Sequence, residues 1–245
     1  MATPPHASRA QPSSPRTRGP RTRTRASHSL ESVLAGAVEI LDESGAQGLT
    51  IRALAARLGG GVASVYWYVS GRDELLDLAA DSVLGGVLEA TADVGDGDSD
   101  PIDDLRTIAV TMFDAIVDRP WLGAYVLRDT ATQIHSLQLY ERIGEQVMRL
   151  DLTPRQSFHA TSAVIGYVIG TAADMGQELP EAVVSGELSK EQYMATATAQ
   201  WRSLDRTQFP YIHHIIDEFD GHDDRDQFVG GLDLLLAGLR LQAGR

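Results

Sequence analysis

The chain has 245 residues, 43% of them apolar and 22% charged, and a formal net charge of −13, so it can bury a sizeable core in one or two domains. It contains no cysteine, which excludes structural disulfides and thiolate metal sites and is compatible with a reducing cytoplasm. No apolar run reaches the roughly 18 residues of a membrane span, and the N-terminus lacks the apolar core of a signal peptide, so we expect a cytoplasmic protein without membrane contact.

Residues 1–28 are rich in proline, serine and threonine, a composition that cannot bury enough surface to fold alone, and they are predicted to form a disordered arginine-rich arm. The segment that follows, residues 30–77, holds three arginines against seven carboxylates. As a DNA-binding head it would be acidic, and it would need another source of cations to contact DNA phosphates. The arm is predicted to track DNA phosphates or enter the minor groove. Its contacts would be Arg21, Arg23 and Arg25. A disordered solubilising leader is the alternative.

Residues 29–76 have the spacing of a three-helix head that contains a helix-turn-helix. After a first helix with a regular apolar stripe, Ala55 stands where two helices would cross, Gly59 can take the positive φ of the turn, and Val65 can close the small core. Thr50 can cap the second helix. An ordinary helical hairpin with a glycine turn has the same spacing, so spacing alone does not decide between the two.

The head is followed by a connecting helix and an acidic loop. Ser70 and Asp73 resemble a capping pair, after which helical spacing continues into a connecting helix over residues 77–92. Residues 93–101 are rich in Asp and Gly and resemble the start of a calcium loop. Pro101 stands where such a loop requires glycine, so we expect a solvated connector.

Residues 102–245 are predicted to form a larger helical domain. Apolar residues at three- and four-residue steps mark a helix that ends before Pro120, and further helices are predicted near 133–150, 154–177 and 225–241. Since no strand-like alternation persists, the fold class is all-α, with an N-terminal helix-turn-helix DNA-binding head and a larger C-terminal helical domain.

Two of these helices suit a homodimer. One carries small residues at three- and four-residue steps and the other a broad apolar face, which would let two copies approach closely, and a palindromic site would need such a two-fold interface. The predicted interface residues are Ala163, Gly166, Gly170, Phe228, Leu232, Leu235 and Leu239. Packing within one subunit is the alternative.

The polar cluster from His213 to Asp224 includes His214 and Glu218, which are spaced as two metal ligands could be. Without a catalytic context we expect a solvated segment, no metal and no cofactor. The chain has no GxSxG, P-loop, HExxH or paired dinucleotide motif, so a helical enzyme is a remote alternative.

The segment GLTIRALAARLGGGVASVYWYVSGRDELLD closely resembles the DNA-binding head of the TetR family of transcriptional repressors, most specifically in the run Val65 to Val69 followed by Arg72. The segments HATSAVIGYVIGTAADMGQ and QFVGGLDLLLAGL resemble ligand-domain helices of the tetracycline-repressor subgroup. The resemblance implies that the DNA contacts are Thr50, Arg52, Ala63, Ser64, Tyr66, Trp67, Tyr68 and Arg72. Arg52 is expected to reach a guanine edge, whereas Trp67 could instead pack against the first helix.

The resemblance also implies an internal site for a small, largely apolar or aromatic effector. The implied lining is Met112, Phe113, Trp121, Tyr125, Tyr140, Phe158, Tyr167, Asp174, Met175 and Trp201; without the resemblance these residues indicate an ordinary core. Asp174 corresponds to an acidic position near the metal–drug site of the tetracycline repressor. The metal-binding histidine of that site is replaced by Val126 or Leu127, so magnesium-tetracycline is not the expected inducer.

The predicted function is a non-enzymatic repressor that binds a palindromic double-stranded DNA operator as a dimer and is released by its effector. A DNA-binding regulator or activator without a small-molecule inducer is the alternative.

Overall fold

A computed structural model describes most of the chain as α-helix. The described residues are 28–95, 97–126, 128, 133–175, 180–219 and 221–244. They form eleven α-helices and no strand, which confirms the all-α prediction. The helices are α1 (Leu30–Gly48), α2 (Ile51–Arg57), α3 (Val62–Val65), α4 (Arg72–Ala90), α5 (Pro101–Val117), α6 (Ile134–Met148), α7 (Pro154–Met175), α8 (Glu181–Val184), α9 (Lys190–Arg202), α10 (Pro210–Ile215) and α11 (Asp224–Ala243). The predicted arm, with Arg21, Arg23 and Arg25, lies outside the described residues, as does Leu127.

The head consists of α1, α2, α3 and the first turns of α4 around one small apolar core. Ser29 begins α1 by accepting a hydrogen bond from the Ser32 N–H at 3.1 Å. At Gly45 the backbone leaves helical geometry with φ +62°, and a final turn continues to Gly48. The fully buried side chains of this core include Val33, Leu41, Leu49, Leu54, Val65, Leu75 and Leu76.

The second domain packs α5, α6, α7 and α11 with the later turns of α4 around a larger core. Phe113 on α5 stacks on Phe228 on α11, with ring centroids 3.8 Å apart, and Tyr167 on α7 lies against the same ring at 5.4 Å. The Tyr167 hydroxyl donates to the Phe228 carbonyl at 3.0 Å. These three rings tie α5, α7 and α11 together at the centre of the domain.

Helix α4 belongs to both domains. Leu76 and Ala79 are buried in the head core, while Ala80 and Leu84 are buried in the second core. The predicted boundary between residues 76 and 77 therefore falls inside one continuous helix of 19 residues. A helix shared by two cores is a direct mechanical connection between them.

Residues 180–219 carry α8, α9 and α10, of which α9 and α10 pack against each other and against the 3-10 helix Ile216–Phe219. Across the described part of the chain, no helix combines the length and apolar character that crossing a membrane requires.

Candidate DNA-binding surface and effector pocket

The helix-turn-helix has the geometry that the spacing predicts. The Thr50 hydroxyl accepts a hydrogen bond from the Ala53 N–H at 3.0 Å and caps α2. Gly59 takes φ +64° in the turn, a conformation in which a side chain would be strained. Val65 on α3 is 1% exposed and closes the core. The cap at Thr50, the turn at Gly59 and the buried Val65 therefore fix the orientation of α3 relative to α2.

Five of the predicted DNA contacts lie on the exposed side of this motif. Trp67 is 85% exposed, which rules out the alternative in which it packs against α1, and Tyr66 is 53% exposed. Thr50, Arg52 and Ala63 are exposed as well. Two aromatic rings, one cation and small side chains are thus open to a partner beside α3.

Tyr68 and Arg72 have roles within the chain that sequence reasoning missed. The Tyr68 hydroxyl donates to the carbonyl of His28. The Arg72 guanidinium donates to the carbonyl of Leu49 at 2.8 Å and to that of Ala46. Tyr68 therefore holds the start of the described chain, and Arg72 satisfies carbonyls at the end of α1.

Helix α4 begins with a different polar pair from the predicted one. Ser70 bonds to Glu74, not to Asp73: its N–H and its hydroxyl lie 2.5 and 2.6 Å from the Glu74 carboxylate. These bonds, first from the side chain and then from the backbone of Ser70, lower the pKa of Glu74.

The acidic side chains of α1 are engaged by a cation of the head. Arg57 on α2 bonds to Glu39 at 3.1 Å and to Glu43, and the second bond lowers the pKa of Glu43. Among the described residues, Arg52 is the one arginine of the head with neither a carboxylate nor a carbonyl partner. It is therefore the arginine best placed to read a base.

Asp42 joins the head to the second domain, and Asp81 joins α4 to α6. Asp42 on α1 accepts a hydrogen bond from Trp121 Nε1 at 2.8 Å and lies 3.3 Å from Arg119 Nε. On the other side, the buried Asp81 of α4 accepts the N–H groups of His135 and Ser136 at 3.2 and 2.8 Å and so caps α6. A shift of α6 would therefore act directly on α4.

A small cavity lies between α4, α5, α6 and α7. Its lining is Leu84, Met112, Val126, Ser136, Leu139, Tyr140, Ile143 and Ile165. Its volume is about 10 Å³, room for about one water molecule. Ser136 was not predicted; its buried hydroxyl oxygen has no hydrogen-bond partner among the described residues, so a ligand in the cavity would find a polar group to bind.

Only Met112 and Tyr140 of the predicted effector residues line this cavity. Phe158 is 62% exposed on the outside of α7, and Trp201 is 40% exposed and packs edge-on against Phe219. Neither ring lines the cavity, so the assignment of these two residues to it is corrected. Asp174 is exposed near the end of α7. The others pack against the core without lining the cavity: Phe113, Trp121, Tyr125, Tyr167 and Met175.

The predicted dimer interface needs a correction on α11. Phe228 and Leu232 are fully buried and Leu239 is 5% exposed, because this face of α11 packs into the core of its own subunit. The exposed apolar side chains of α11 are Leu234 at 77% and Leu241 at 69%. Helix α11 is apolar on two opposite faces, and the sequence pattern does not show which face packs inward. Leu234 and Leu241 were therefore not predicted as the exposed residues.

The small residues of α7 do lie on the surface. Ala163, Gly166 and Gly170 are exposed, and a Cβ on either glycine would contact nothing. Helices α7 and α11 pack side by side, and we call their exposed sides, which carry Ala163, Gly166 and Gly170 on α7 and Leu234 and Leu241 on α11, the outer α7–α11 face.

The histidine cluster has no arrangement that could hold a metal ion in the described part of the chain. His213 Nε2 lies 2.8 Å from the Leu204 carbonyl, and His222 Nε2 lies 3.3 Å from Asp224.

Comparison with protein families matches two regions of the chain. Residues 33–79 match the model for bacterial regulatory proteins of the tetR family. Residues 95–243 match the model for the tetracyclin repressor-like C-terminal domain.

Individual proteins resemble the chain over most of its length. The HTH-type transcriptional repressor DrrR1 of Streptomyces coeruleorubidus is 29% identical, over 86% of this chain and 77% of its own. The structure of SCO7222, a TetR from Streptomyces coelicolor, is 31% identical with a TM-score of 0.74 and covers 88% of this chain and 99% of its own. The S. coelicolor protein ActR in complex with actinorhodin shares the fold at 22% identity, with a TM-score of 0.72 over 89% of this chain and 99% of its own.

Proposed function

The chain belongs to the TetR family of bacterial regulatory proteins, and from this premise we propose that it is a dimeric repressor that binds a palindromic operator and releases it when a small effector binds. The observation that carries the proposal is the exposed side of the helix-turn-helix, with Arg52, Tyr66 and Trp67 open to a partner. Relatives are named as transcriptional regulators and repressors, which supports a non-catalytic role in the cytoplasm, where the chromosome lies.

Contacts to bases and to phosphates would come from different residues of the head. Arg52 can donate two hydrogen bonds to a guanine edge, and the methyl group of Ala63 can contact a thymine methyl. The Tyr66 hydroxyl suits a phosphate oxygen, which would position the head without reading sequence, whereas the Ser64 hydroxyl donates to the Gly61 carbonyl at 2.5 Å and would have to leave it to bind phosphate.

The outer α7–α11 face supports the dimer. Leu234 and Leu241 are large apolar side chains in water, and the small residues of α7 leave room for a second helix to approach. A two-fold axis through this face would bury both stripes and pair two heads on one palindrome.

Effector release is supported by the position of the cavity. A drug-sized ligand needs a pocket of about 300 Å³ or more, so binding would have to move the walls, among them Ser136 at the start of α6. Since Asp81 on α4 holds the N–H of Ser136, movement of α6 would turn α4 and change the separation of the two heads. DNA and effector would then weaken each other's binding by the same factor.

A regulator without a small-molecule inducer is the second candidate. The observation that favours it is the size of the cavity, which holds about one water molecule.

Selection of duplexes from a random-sequence pool by the full chain tests the DNA-binding part of the proposal. We expect a palindrome that binds two protomers, measured by mass. Recovery of duplexes without a common sequence would contradict it.

Actinorhodin and tetracycline serve as probes of the effector part. A probe that raises the unfolding temperature and also weakens DNA binding supports effector release, and Ser136→Ala should reduce both effects. A probe that stabilises the protein while leaving DNA affinity unchanged would favour the regulator without an inducer.

A further inference from the structure

The side chain of His28 has a fixed place at the start of the head. By sequence, residue 28 belongs to the end of a disordered arm, and its ring has no assigned role. In the structure His28 is half-buried. The hydroxyl of Tyr68, a residue that follows α3, donates to the His28 carbonyl and holds the backbone at this point. His28 is therefore a structural part of the head.

The His28 ring lies on the glycine turn between α2 and α3. A Cβ at Gly60 would lie 3.0 Å from His28 Nε2 and 3.7 Å from His28 Cδ2, and the same Cβ would lie 3.0 Å from Ser64 Oγ. The ring can approach the turn this closely because position 60 has no side chain. Nε2 therefore lies near Ser64 on α3, at the edge of the exposed surface that carries Tyr66 and Trp67.

The ring nitrogens of His28 are not engaged within the head. Among the described residues, the hydrogen bond at its carbonyl is the only one that His28 forms. Histidines of the second domain differ in this respect: His135 Nδ1 lies 2.9 Å from the Asp81 carboxylate, and His213 Nε2 lies 2.8 Å from the Leu204 carbonyl. The His28 ring is thus held in place with its polar atoms open to a group outside the chain.

Few charged groups surround this ring. The end of α2, the turn and α3, residues 58–65, contain no ionisable side chain. In the first turn of α1, Glu31 forms no ion pair with His28 among the described residues. On α2, Arg57 is held by two carboxylates of α1, and Arg52 lies in the first turn, away from the glycines. A proton on His28 would add a cation at the turn, where the described chain supplies none.

The imidazole ring suits a DNA phosphate in one of its two charge states. Histidine is the side chain whose charge ordinarily changes between about pH 6 and pH 8. The protonated ring can donate a charge-assisted hydrogen bond to a phosphate oxygen, and the neutral ring cannot. Because a phosphate stabilises the charged form of the ring, forming this contact takes up a proton.

We propose that protonated His28 binds a phosphate of the DNA beside α3, so that DNA affinity rises as the pH falls from about 8 to about 6. The proposal rests on the proposed DNA-binding function and adds to it a dependence on protons. Gly60 is the positioning residue for the contact, because its missing side chain leaves the space that the ring occupies.

Binding of the full chain to a duplex selected by the wild-type protein tests this, by fluorescence anisotropy at about pH 6 and about pH 8 over a range of KCl concentrations. We expect the wild-type affinity to rise roughly threefold to tenfold at the lower pH. The slope of log K against log [KCl] should also be steeper there, by up to about 0.9 for each bound protomer.

Two histidine variants separate this contact from other titrations. In His28→Gln the pH effect on affinity should fall below about twofold, and the salt slope should be the same at both pH values. His214→Gln is the control, because it removes an exposed histidine of the second domain, and it should keep both effects.

A matched pair of glycine variants tests the place of the ring. Gly60→Ala would put a methyl group 3.0 Å from His28 Nε2 and displace the ring, whereas a Cβ at Gly61 would contact nothing. Neither glycine takes a positive φ, so alanine suits both backbones. Gly60→Ala should reduce the pH effect below about twofold and Gly61→Ala should keep it. His28→Gln decides the proposal even if Gly60→Ala binds too weakly to compare.

Equal wild-type affinity at the two pH values would overturn the proposal, and so would a pH effect that persists in His28→Gln. A full pH effect in Gly60→Ala would overturn the positioning role of the turn. Failure of the wild-type protein to select any duplex would remove the proposed function and this proposal together. A selected palindrome that is bound equally at both pH values would remove this proposal alone.

Discussion

The head and the second domain present their polar and apolar groups in opposite ways. In the head, Tyr66, Trp67 and Arg52 stand outside a closed core. In the second domain, large apolar side chains lie outside, while the Ser136 hydroxyl, which has no hydrogen-bond partner among the described residues, lies inside next to a cavity of about 10 Å³. The head exposes these groups as it stands, whereas under the proposed function the second domain would be completed by a second copy and by a change of shape.

The largest expected effect separates the two faces of α11. Phe228→Ala should lower the free energy of unfolding by about 3–5 kcal/mol, because it removes a buried ring between Phe113 and Tyr167. Leu234→Ala, a matched truncation on the exposed face of the helix, should cost an isolated subunit less than about 0.5 kcal/mol. Urea unfolding at low protein concentration measures both, and similar losses would contradict the assignment of the two faces.

The next effect concerns assembly. Leu234→Glu combined with Leu241→Glu should leave the fold intact and convert a dimer to a monomer, since two carboxylates would be buried at the contact. Losing the second head should weaken operator binding by about 100-fold or more. Sedimentation and anisotropy measure the two quantities.

The control for this assembly prediction adds the same charge elsewhere, through Ala92→Glu and Gln138→Glu at exposed positions. A double variant on the outer α7–α11 face that sediments like its control would place the interface elsewhere.

A smaller effect tests base reading by the head. Arg52→Ala should cost about 1–3 kcal/mol of operator binding and relax the preference at one base pair. Arg57→Ala is the matched control, because Arg57 is held by Glu39 and Glu43 and should leave the sequence preference unchanged. If Arg52→Ala weakens binding to every sequence equally, Arg52 contacts a phosphate.

The smallest effect is a dependence of head stability on pH. Hydrogen bonds from Ser70 lower the pKa of Glu74 below its usual value of 4.5, so this contact stabilises the folded head above that value and the contribution disappears as the pH falls through the lowered pKa. Glu74→Gln should cost less than about 1 kcal/mol at pH 7 and nothing in strong acid. Urea titrations measure the difference, and in a Ser70→Ala background it should shrink without vanishing, because the Ser70 N–H still donates to the Glu74 carboxylate.

The sequence predicted the head more completely than the second domain. Gly59, Ala55 and Val65 are fixed by local backbone geometry, which a short segment encodes. The roles of Tyr68 and Arg72 were missed because their partners, His28, Leu49 and Ala46, are carbonyls distant in sequence. A carbonyl is present at every position and leaves no signal in the pattern.

In the second domain α5, α6, α7 and α11 follow from periodicity, whereas α8, α9 and α10 were not predicted. The use of the helix faces does not follow from periodicity either. Helix α11 is apolar on two sides, and nothing in its spacing shows which side packs against Phe113. The cavity is a property of packing among four helices, so neither its size nor the buried Ser136 could be predicted from local pattern. Phe158 and Trp201 were assigned to it by residue type, and position decided against them.

The small volume of the cavity, about 10 Å³, has a consequence for the effector concentration at which the protein would respond. If an effector binds only a form with an opened pocket, its apparent affinity falls by the fraction of molecules in that form, so a form populated at about 1% weakens binding about 100-fold. A tightly packed interior would then act as a threshold against weak or scarce metabolites. Substitutions that loosen the packing around Met112 and Tyr140 should lower that threshold. The core of this domain would then determine the effector concentration needed for a response as well as the stability of the fold.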